Sequence, residues 1–247
     1  MSKLMKKLWL AADYHFPSTY SCRIPMSSAG SAMITPAPGP STVRLALIHS
    51  GIELFGLKTT QHDLFPVIRS APIQIQPPEK VAISLHRLRA HKWEKGKVGK
   101  QDRFQVSVIL REMAHATEPC TVFIEVPSIE EERFRRLLQA IGYWGKTDSL
   151  TYCMSITQHP PDTAICVVPL RTLQSGQPVG HFFACLLTEF RDQQVTWEEI
   201  VPTLVGSQHL AFHLDVYVWP MLVEHKPGGS KLLTRHPFLQ VKRVRET

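Results

Sequence analysis

Cysteine pairs and long apolar runs are the first features that the 247-residue sequence lacks. Its five cysteines form no C-x-x-C pair and are spread along the chain at Cys22, Cys120, Cys153, Cys166 and Cys185. A zinc site needs clustered ligands and a small secreted scaffold needs a denser set of thiols, so neither is predicted. No run approaches the ~20 apolar residues that span a bilayer, and the apolar patch Leu8–Ala12 is too short for a signal peptide. We therefore expect a soluble, cytoplasmic protein with reduced thiols and no membrane partner.

Motifs for metal-dependent or nucleotide-dependent catalysis are also missing. None of the twelve histidines lies in an H-E-x-x-H spacing. His86, His91 and His115 lie near one another in the sequence, but this alone does not make a general acid–base pair. The segment GYWGKTDS lacks the first glycine of a phosphate-binding G-x-x-x-x-G-K-[ST] loop. We expect no metal and no cofactor.

The composition is that of a folded, basic protein. Hydrophobic residues make up 43% of the chain and charged residues 20%, which is enough to bury a core in one domain, or in one domain with a small second one. The formal net charge is +7 and the sequence pI is about 9.3. Such a chain suits a polyanionic partner such as nucleic acid, although many basic proteins have no such partner.

A long polar loop separates the first predicted strand from the first predicted helix. The strand covers Lys6 to Tyr14, and the helix runs from Ser41 to about Phe55, is apolar nearly all round and is predicted to be buried against a sheet. Structureless loops longer than roughly 12–15 residues are usually functional or disordered. The candidates on or beside this loop are Tyr14, His15, Tyr20 and Arg23. They either contact RNA, or the tyrosines pack in the core and the arginine is merely exposed.

A strongly basic hairpin follows the second predicted strand. Between residues 86 and 103, seven cations stand against Glu94 and Asp102, which leaves a balance of +5; the cations are Arg87, Arg89, Lys92, Lys95, Lys97, Lys100 and Arg103. Gly96 and Gly99 mark a turn, so the segment is predicted to project as a two-stranded hairpin. Phosphates would offset the mutual repulsion of the cations, and Trp93 could stack on a base. The alternative is a solvated surface loop.

Two further groups are candidates for phosphate or base binding. Arg111 follows the returning strand and could bind a phosphate or pair with Glu112 or Asp102 on the surface. The turn GYWGKTDS offers Trp144 for stacking and Lys146 for charge, or it is a helix cap with a core aromatic residue. The helix before this turn is predicted from a capping box at Ser128 and Glu131 and from i,i+4 ion pairs such as Glu131–Arg135, with Gly142 as its end.

The order of predicted elements indicates an α+β fold. Two strand–helix–strand units separated by the hairpin match a ferredoxin-like, RRM-like sheet with both helices on one face. We predict this domain at residues 1–158, with the hairpin at 86–103, and a smaller β-rich part at 159–247. The latter includes predicted strands at Thr163–Leu170, His181–Phe190 and Ala211–Trp219. Its basic tail, Lys231–Arg245, is expected to be only partly ordered.

Several short motifs occur in the order found in one known family. They are the R-x-P element at Arg23–Pro25, the P-S-T helix start at Pro40–Thr42, the basic insert, the strand end at Arg111–Glu112 and the G-x-x-G-K-x-x-S turn at Gly142–Ser149. Together they resemble the Cas-five family of the RAMP superfamily, the subunit that caps the 5′ end of the guide RNA in type I CRISPR Cascade.

The resemblance implies a function and a set of partners. It implies a non-catalytic subunit that grips the repeat-derived 5′ handle of crRNA, contacts the backbone and large subunits, and meets target DNA only through the complex in antiviral defence. The hairpin would be the "thumb", at about Lys92–Lys100. The resemblance makes Arg23, Arg111 and Lys146 candidates for contact with the handle. With the candidates from the residue patterns, the predicted RNA-binding residues are Tyr14, His15, Tyr20, Arg23, Arg44, Arg89, Lys92, Trp93, Lys95, Lys97, Lys100, Arg103, Arg111, Trp144 and Lys146.

Two other functions stay open from the sequence. One branch of the family cleaves precursor RNA without metal, and Tyr14, His15 and a thumb lysine could be proposed for such chemistry. The sister family of processing endoribonucleases usually carries a glycine-rich C-terminal loop, of which only Gly228–Gly229 appears here. The third function is a basic ferredoxin-like interaction protein whose partner is not RNA.

Overall fold

The structure of the protein is a computed structural model that describes residues 6–25, 31–94, 103–145, 147–173, 182–200 and 211–238. The strands are β1 Lys7–His15, β2 Cys22–Arg23, β3 Ser31–Ala32, β4 Ile34–Thr35, β5 Ile73–Gln76, β6 Lys80–Glu94, β7 Arg103–His115, β8 Cys120–Pro127, β9 Tyr152–Gln158, β10 Val168–Pro169, β11 Phe182–Phe190, β12 Phe212–His225 and β13 Lys231–Arg235. The helices are α1 Pro40–Phe55, α2 Leu57–Thr59, α3 Phe65–Ser70, α4 Glu131–Ala140 and α5 Trp197–Ile200. A π-helical turn at Thr60–Leu64 joins α2 to α3.

The first sheet is antiparallel throughout, with the strand order β5-β8-β1-β9. Because side chains alternate along a strand, Leu10, Ala12 and Tyr14 of β1 point to one face. These residues share the main core with apolar residues of α1 and α4, among them Val43, Leu47, Phe134 and Leu137. The two longest described helices therefore cover one face of this sheet.

The opposite face of the first sheet is partly closed by the chain that follows β9. Ala11 and Phe123 are buried there with Cys166 in a small second cluster. The amide of Val167 donates to the carbonyl of Ile75 at 2.8 Å, which fixes the covering segment along β5. This face is therefore not an open platform of the kind that RRM-like domains offer to RNA.

The second sheet joins the C-terminal strands to the hairpin. Its order is β10-β12-β13-β6-β7-β3, and β11 also pairs with β12. β6 and β7 pair without a break from Ala82–His115 to Glu94–Arg103, as the sequence predicts for the two arms of a hairpin. The first five residues of the basic tail predicted at Lys231–Arg245 form β13 between β12 and β6, because their backbone bonds to both neighbours.

Several predicted elements differ from the structure at their ends. Ser128 lies in a 3-10 turn and α4 begins at Glu131 without a side-chain cap, so the predicted capping box is wrong. That helix ends at Ala140, before Gly142. The ion pair Glu131–Arg135 is present at 2.9 Å. The strand predicted at Thr163–Leu170 reduces to a 3-10 turn and the two residues of β10.

The first helix ends where the sequence predicts but is less buried than expected. Gly56 follows it with a φ of +81°, a conformation that favours glycine, and its amide bonds to the carbonyl of Ile52. Leu45, Ile52 and Leu54 are more than one-third exposed, so α1 has a solvent-facing side and is not buried all round. None of the described helices is long and apolar enough to cross a membrane.

Candidate nucleic-acid interface

The register of the hairpin assigns its side chains to two faces. Residues that stand opposite each other in an antiparallel pair project to the same side of the sheet. Arg87 pairs with Leu110, Arg89 with Val108 and Trp93 with Phe104. We call the side that carries these pairs the mixed face; its described members are Leu85, Arg87, Arg89, Trp93, Phe104, Val106, Val108 and Leu110.

The mixed face is an exposed apolar strip beside a basic row. Phe104, Val106, Val108 and Leu110 follow one another along β7 and are between 42% and 68% exposed. Arg87 and Arg89 are exposed on β6. Trp93 is 55% exposed and meets Phe104 edge to face, with ring centroids 4.8 Å apart. The face therefore offers stacking rings, aliphatic surface and positive charge together.

The sequence pattern of this strip has two interpretations. Alternation of Phe104, Val106, Val108 and Leu110 predicts a strand with one apolar face, which is usually a core face. Nearer the base of the hairpin the same face does enter the core, through Ile83 and Ala114. The strip lies farther out, beyond that core. The predicted set of RNA-binding residues therefore misses these functional candidates, which are Arg87, Phe104, Val106, Val108 and Leu110.

Of the residues predicted to contact RNA on the hairpin, two have described side chains. These two, Arg89 and Trp93, lie on the mixed face. Lys92 and Arg103 belong to the paired strands, but their side chains are outside those described. Lys95, Lys97, Lys100 and Lys146 lie outside the described residues.

The two loop tyrosines are in the core and not at the surface. The hydroxyl of Tyr14 donates to the carbonyl of Leu138 at 2.7 Å. The hydroxyl of Tyr20 donates to the carbonyl of Pro36 at 2.6 Å, and its ring stacks on Phe16. Burial raises the pKa of both phenols well above the usual value. The prediction that these tyrosines contact RNA is therefore wrong, because they have no exposed surface.

Trp144 is also a core residue. Its indole is 1% exposed and lies edge to face on Tyr14, with centroids 4.7 Å apart. The turn around it is closed by hydrogen bonds from Trp144 N to Ser149 O and from Thr151 N to Gly142 O, each 3.0 Å. The expectation that Trp144 stacks on RNA is wrong, and the alternative of a helix-end turn with a core aromatic residue is confirmed.

Arg44 serves the fold. Its Nε donates to Glu189 Oε1 at 2.9 Å, and a second nitrogen donates to the carbonyl of Ile68. The guanidinium also lies 5.5 Å from the centroid of the Phe190 ring. Because Arg44 is buried and held by partners on α3 and β11, its predicted contact with RNA is wrong.

A junction forms where the first loop, the hairpin base and the turn after α4 meet. Tyr20 exchanges backbone hydrogen bonds with Ala114 of β7. The amide of Ser21 donates to Ser149 Oγ at 3.0 Å, and Arg111 forms a 2.6 Å ion pair with Asp148. We call Ser21, Arg111, Asp148 and Ser149 the junction. Arg111 thus pairs with an acidic group while remaining partly exposed, but this partner is Asp148, which the sequence does not indicate.

Arg23 and His15 flank this junction. Arg23 pairs with Ile34 in a two-residue ladder, and no acceptor among the described residues reaches its Nε. His15 is half-buried, and its ring lies 5.4 Å from that of Tyr152. The long loop thus brings Arg23 to the hairpin side of the molecule, while its aromatic residues go to the core.

A cleft of about 340 Å³ lies on the far side of the same turn, between α1 and residues 141–145. We call it the α1 cleft. It is lined by Thr42, Leu45, Ala46, His49, Ser50, Glu53, Ala140, Ile141, Gly142, Tyr143 and Gly145. His49 Nε2 lies 3.2 Å from both the Tyr143 hydroxyl and Glu53 Oε1. Within the described ranges, no group of three or more His, Cys, Asp or Glu could hold a metal ion.

Comparison with known proteins gives a sequence relative and several similar solved structures. No protein-family model matches the chain. The CRISPR-associated protein Cas5 of Archaeoglobus fulgidus is 30% identical over 159 residues, which are 64% of this chain and 68% of that protein.

The structural similarities are weaker. A chain of the type III-B Cmr-beta complex bound to cognate target RNA, solved by cryo-EM, is 9% identical with a TM-score of 0.49, covering 62% of this chain and 61% of that one. This chain thus spans less than two thirds of it. A crystal structure of a CRISPR protein from Archaeoglobus fulgidus is 9% identical with a TM-score of 0.38, covering 92% of each chain.

Proposed function

The chain belongs to the Cas5 family of CRISPR-associated proteins, and from this membership we propose that it is a non-catalytic crRNA-binding subunit of a type I effector complex, Cascade. In this function it grips the repeat-derived 5′ handle and contacts the backbone and large subunits. It meets target DNA only through the complex, in the cytoplasm, as part of antiviral defence.

The observation that carries the proposal is the mixed face of the hairpin. Arg87 and Arg89 can neutralise phosphates, and Trp93 and Phe104 offer ring faces at 55% and 68% exposure. Aromatic residues beside cations on a sheet surface bind single-stranded RNA by stacking and charge together. Arg23 adds a further cation beside the junction, whereas Arg111 projects from the opposite side of β7 and is paired with Asp148.

The finer description of the fold belongs to the same proposal. The order β5-β8-β1-β9 with α1 and α4 on one face supports a ferredoxin-like domain. β6 and β7 then correspond to the thumb, and the C-terminal part of the chain to the smaller β-rich unit. β13 joins this unit to β6, so any boundary near residue 158 separates parts that share a sheet.

The aliphatic part of the mixed face supports a protein contact. Val106, Val108 and Leu110 cannot stack on bases, and with their neighbours they form a contiguous exposed apolar strip of the kind that marks an interaction site. In the proposed complex this strip would lie against the neighbouring backbone subunit. The basic row and the rings beside it would hold the RNA.

Cleavage of precursor RNA remains the alternative from another function class. The set suggested by the sequence is Tyr14 with His15 and a thumb lysine, and its tyrosine lies in the core. With its hydroxyl bound to Leu138 and its pKa raised by burial, Tyr14 is a poor proton acceptor for a 2′-hydroxyl. An RNA assay without metal separates binding from cleavage directly.

The test is a gel assay with purified protein, without metal and across a salt series. The probes are labelled repeat RNA, handle-only RNA and a scrambled RNA of the same length. We expect selective binding of the repeat and handle RNAs without cleavage. Arg87→Ala/Arg89→Ala should flatten the log–log salt dependence by about 0.7 for each phosphate that the variant no longer neutralises.

The matched control replaces two exposed arginines outside the hairpin, Arg133→Ala/Arg171→Ala. This variant should keep the wild-type salt dependence, since it removes equal charge elsewhere. A metal-independent cut in the repeat would favour the endoribonuclease. Equal binding of scrambled and handle RNA, or equal effects of the two double variants, would contradict a specific hairpin interface.

A further inference from the structure

The α1 cleft combines apolar walls with a short polar chain. Leu45 and Ala46 of α1 and Ile141 form its apolar part. Across its mouth, the Tyr143 hydroxyl and Glu53 Oε1 each lie 3.2 Å from His49 Nε2. The imidazole and phenol rings are tilted by 52° with centroids 5.9 Å apart, so they do not stack on each other.

The polar chain retains hydrogen-bonding capacity toward the cleft. Glu53 only accepts hydrogen bonds, and its contact with His49 uses one carboxylate oxygen. No hydrogen bond among the described residues uses Glu53 Oε2. When His49 donates its Nε2 proton, the Tyr143 hydroxyl keeps its own proton for another acceptor. The cleft therefore presents an acceptor and a donor beside an aromatic ring.

This pattern suits an unstacked nucleobase that carries an exocyclic amine. Such a base is flat and apolar on its faces, and its edge places an amine donor next to a ring or carbonyl acceptor, as in adenine, cytosine and guanine. Uracil has no exocyclic amine, and its one ring N–H donor lies between two carbonyl oxygens that would repel the Glu53 carboxylate. A volume of about 340 Å³ is large enough to accommodate one base.

The cleft is also placed where RNA at the junction could reach it. Residues 142–145 form one of its walls, and the same turn continues into Asp148 and Ser149 of the junction. A strand whose phosphates lie near Arg111 could turn one base over this segment. A Cβ at Gly142 would meet no atom within 4 Å, so the space beside this residue is open.

We propose that the α1 cleft holds one unstacked base of the bound RNA against Tyr143, with the exocyclic amine of the base donating to Glu53. The inference rests on the proposed function, because it needs RNA at the junction. It adds a base-reading subsite on a helix that the hairpin does not touch. It assigns Tyr143 to stacking and Glu53 to discrimination.

The test uses short homopolymers, oligo(A), oligo(C) and oligo(U), with the full chain and its variants, at one salt concentration. Wild type should bind oligo(A) and oligo(C) about tenfold more tightly than oligo(U). Glu53→Gln supplies a donor as well as an acceptor, so this discrimination should fall to near unity. Tyr143→Ala should weaken binding of all three probes by about 5- to 100-fold, and Tyr143→Phe should retain most of the affinity.

Two further variants make each outcome decisive. Tyr152→Ala removes an exposed aromatic side chain outside the cleft and should behave as wild type. Arg87→Ala/Arg89→Ala reports on the hairpin interface. If this hairpin variant weakens RNA binding while Tyr143→Ala and Glu53→Gln match wild type, the cleft subsite is refuted and the proposed function survives. If no probe binds here and the repeat and handle RNAs do not bind in the salt-series gel assay, both fail. Thermal melting of each variant excludes unfolding as the cause.

Discussion

Trp93 and Trp144 stand in similar sequence surroundings, each beside glycines or lysines, and both are predicted to stack on RNA. In the structure, Trp93 is 55% exposed near the end of the hairpin, while Trp144 is 1% exposed against Tyr14. The two regions show that local composition does not decide exposure. What decides it is the distance of the element from the layer where sheet and helices meet.

The same contrast holds for the arginines of the two regions. Arg44 lies on α1, which packs against the core, and its charge is taken up by Glu189. Arg89 lies on a strand that extends past the core, and it is exposed. A cation in the packed region stabilises the fold, whereas one on the projecting strands remains available to a partner.

The largest expected effect comes from truncating the buried member of the tryptophan pair. Trp144→Ala removes a fully packed indole and should lower the free energy of unfolding by about 3–5 kcal/mol. Trp93→Ala should lower it by at most about 1 kcal/mol, because it removes only the edge contact with Phe104. Urea unfolding of the two variants measures both values.

The loss of RNA affinity should rank these two variants in the opposite order to their loss of stability. Trp93→Ala should weaken RNA binding by about 1–3 kcal/mol, the usual contribution of a stacked base. Trp144→Ala, measured where the variant is still folded, should bind as wild type. A loss of stability in Trp93→Ala as large as that in Trp144→Ala would contradict the assignment of the hairpin end to the surface.

The sequence predicts the parts of the fold in which one segment carries its own periodicity. β1, α1, the arms of the hairpin and α4 lie within a few residues of their predicted bounds. β5 escapes prediction because Ile73–Gln76 is short, and the apolar run that follows at Val81 has the stronger strand pattern. β13 escapes it because its order comes from pairing with β12 and β6, which are distant in sequence.

The candidate site is predictable in its charge but not in its geometry. The hairpin cations stand out by count, so Arg89 and Trp93 are identified without any knowledge of the fold. Tyr14, Tyr20, Trp144 and Arg44 are wrongly predicted because the same residue types satisfy buried carbonyls and fill cores. The α1 cleft is not predictable, since His49 and Glu53 meet Tyr143 only through tertiary packing of α1 on the turn.

An intermediate effect is expected from the buried phenol of Tyr14, which the sequence assigns to RNA. Tyr14→Phe leaves the carbonyl of Leu138 without its donor and should lower the free energy of unfolding by about 1–2 kcal/mol near neutral pH. RNA binding should be unchanged, since the hydroxyl faces the core. Urea unfolding and the salt-series binding assay measure the two quantities.

The same variant should alter the alkaline pH dependence. Burial raises the pKa of Tyr14 in the folded state, so its contribution to stability is fully present below the unfolded value of about 10 and is lost as pH rises through the folded value. Above pH ~10 the slope of stability against pH should therefore be shallower in Tyr14→Phe, by up to about 1.4 kcal/mol per pH unit. Identical slopes would mean that this phenol titrates alike in both states.

The smallest effect on stability is expected on the mixed face, where the contrast between a packed and a projecting region is tested most directly. Val106→Thr/Val108→Thr keeps β-branched side chains and so preserves strand propensity, while it replaces two methyl groups of the apolar strip by hydroxyls. Because both valines are about half exposed, the free energy of unfolding should change by less than about 0.5 kcal/mol per site. Binding of a hydrophobic dye and self-association in sedimentation should both fall.

Val43→Thr on α1 is the buried control, and it should lower the free energy of unfolding several times more, because its hydroxyl would enter the core. Equal destabilisation by the two changes would place the strip in a packed interior, and the hairpin could then no longer serve as a surface for either RNA or a protein subunit.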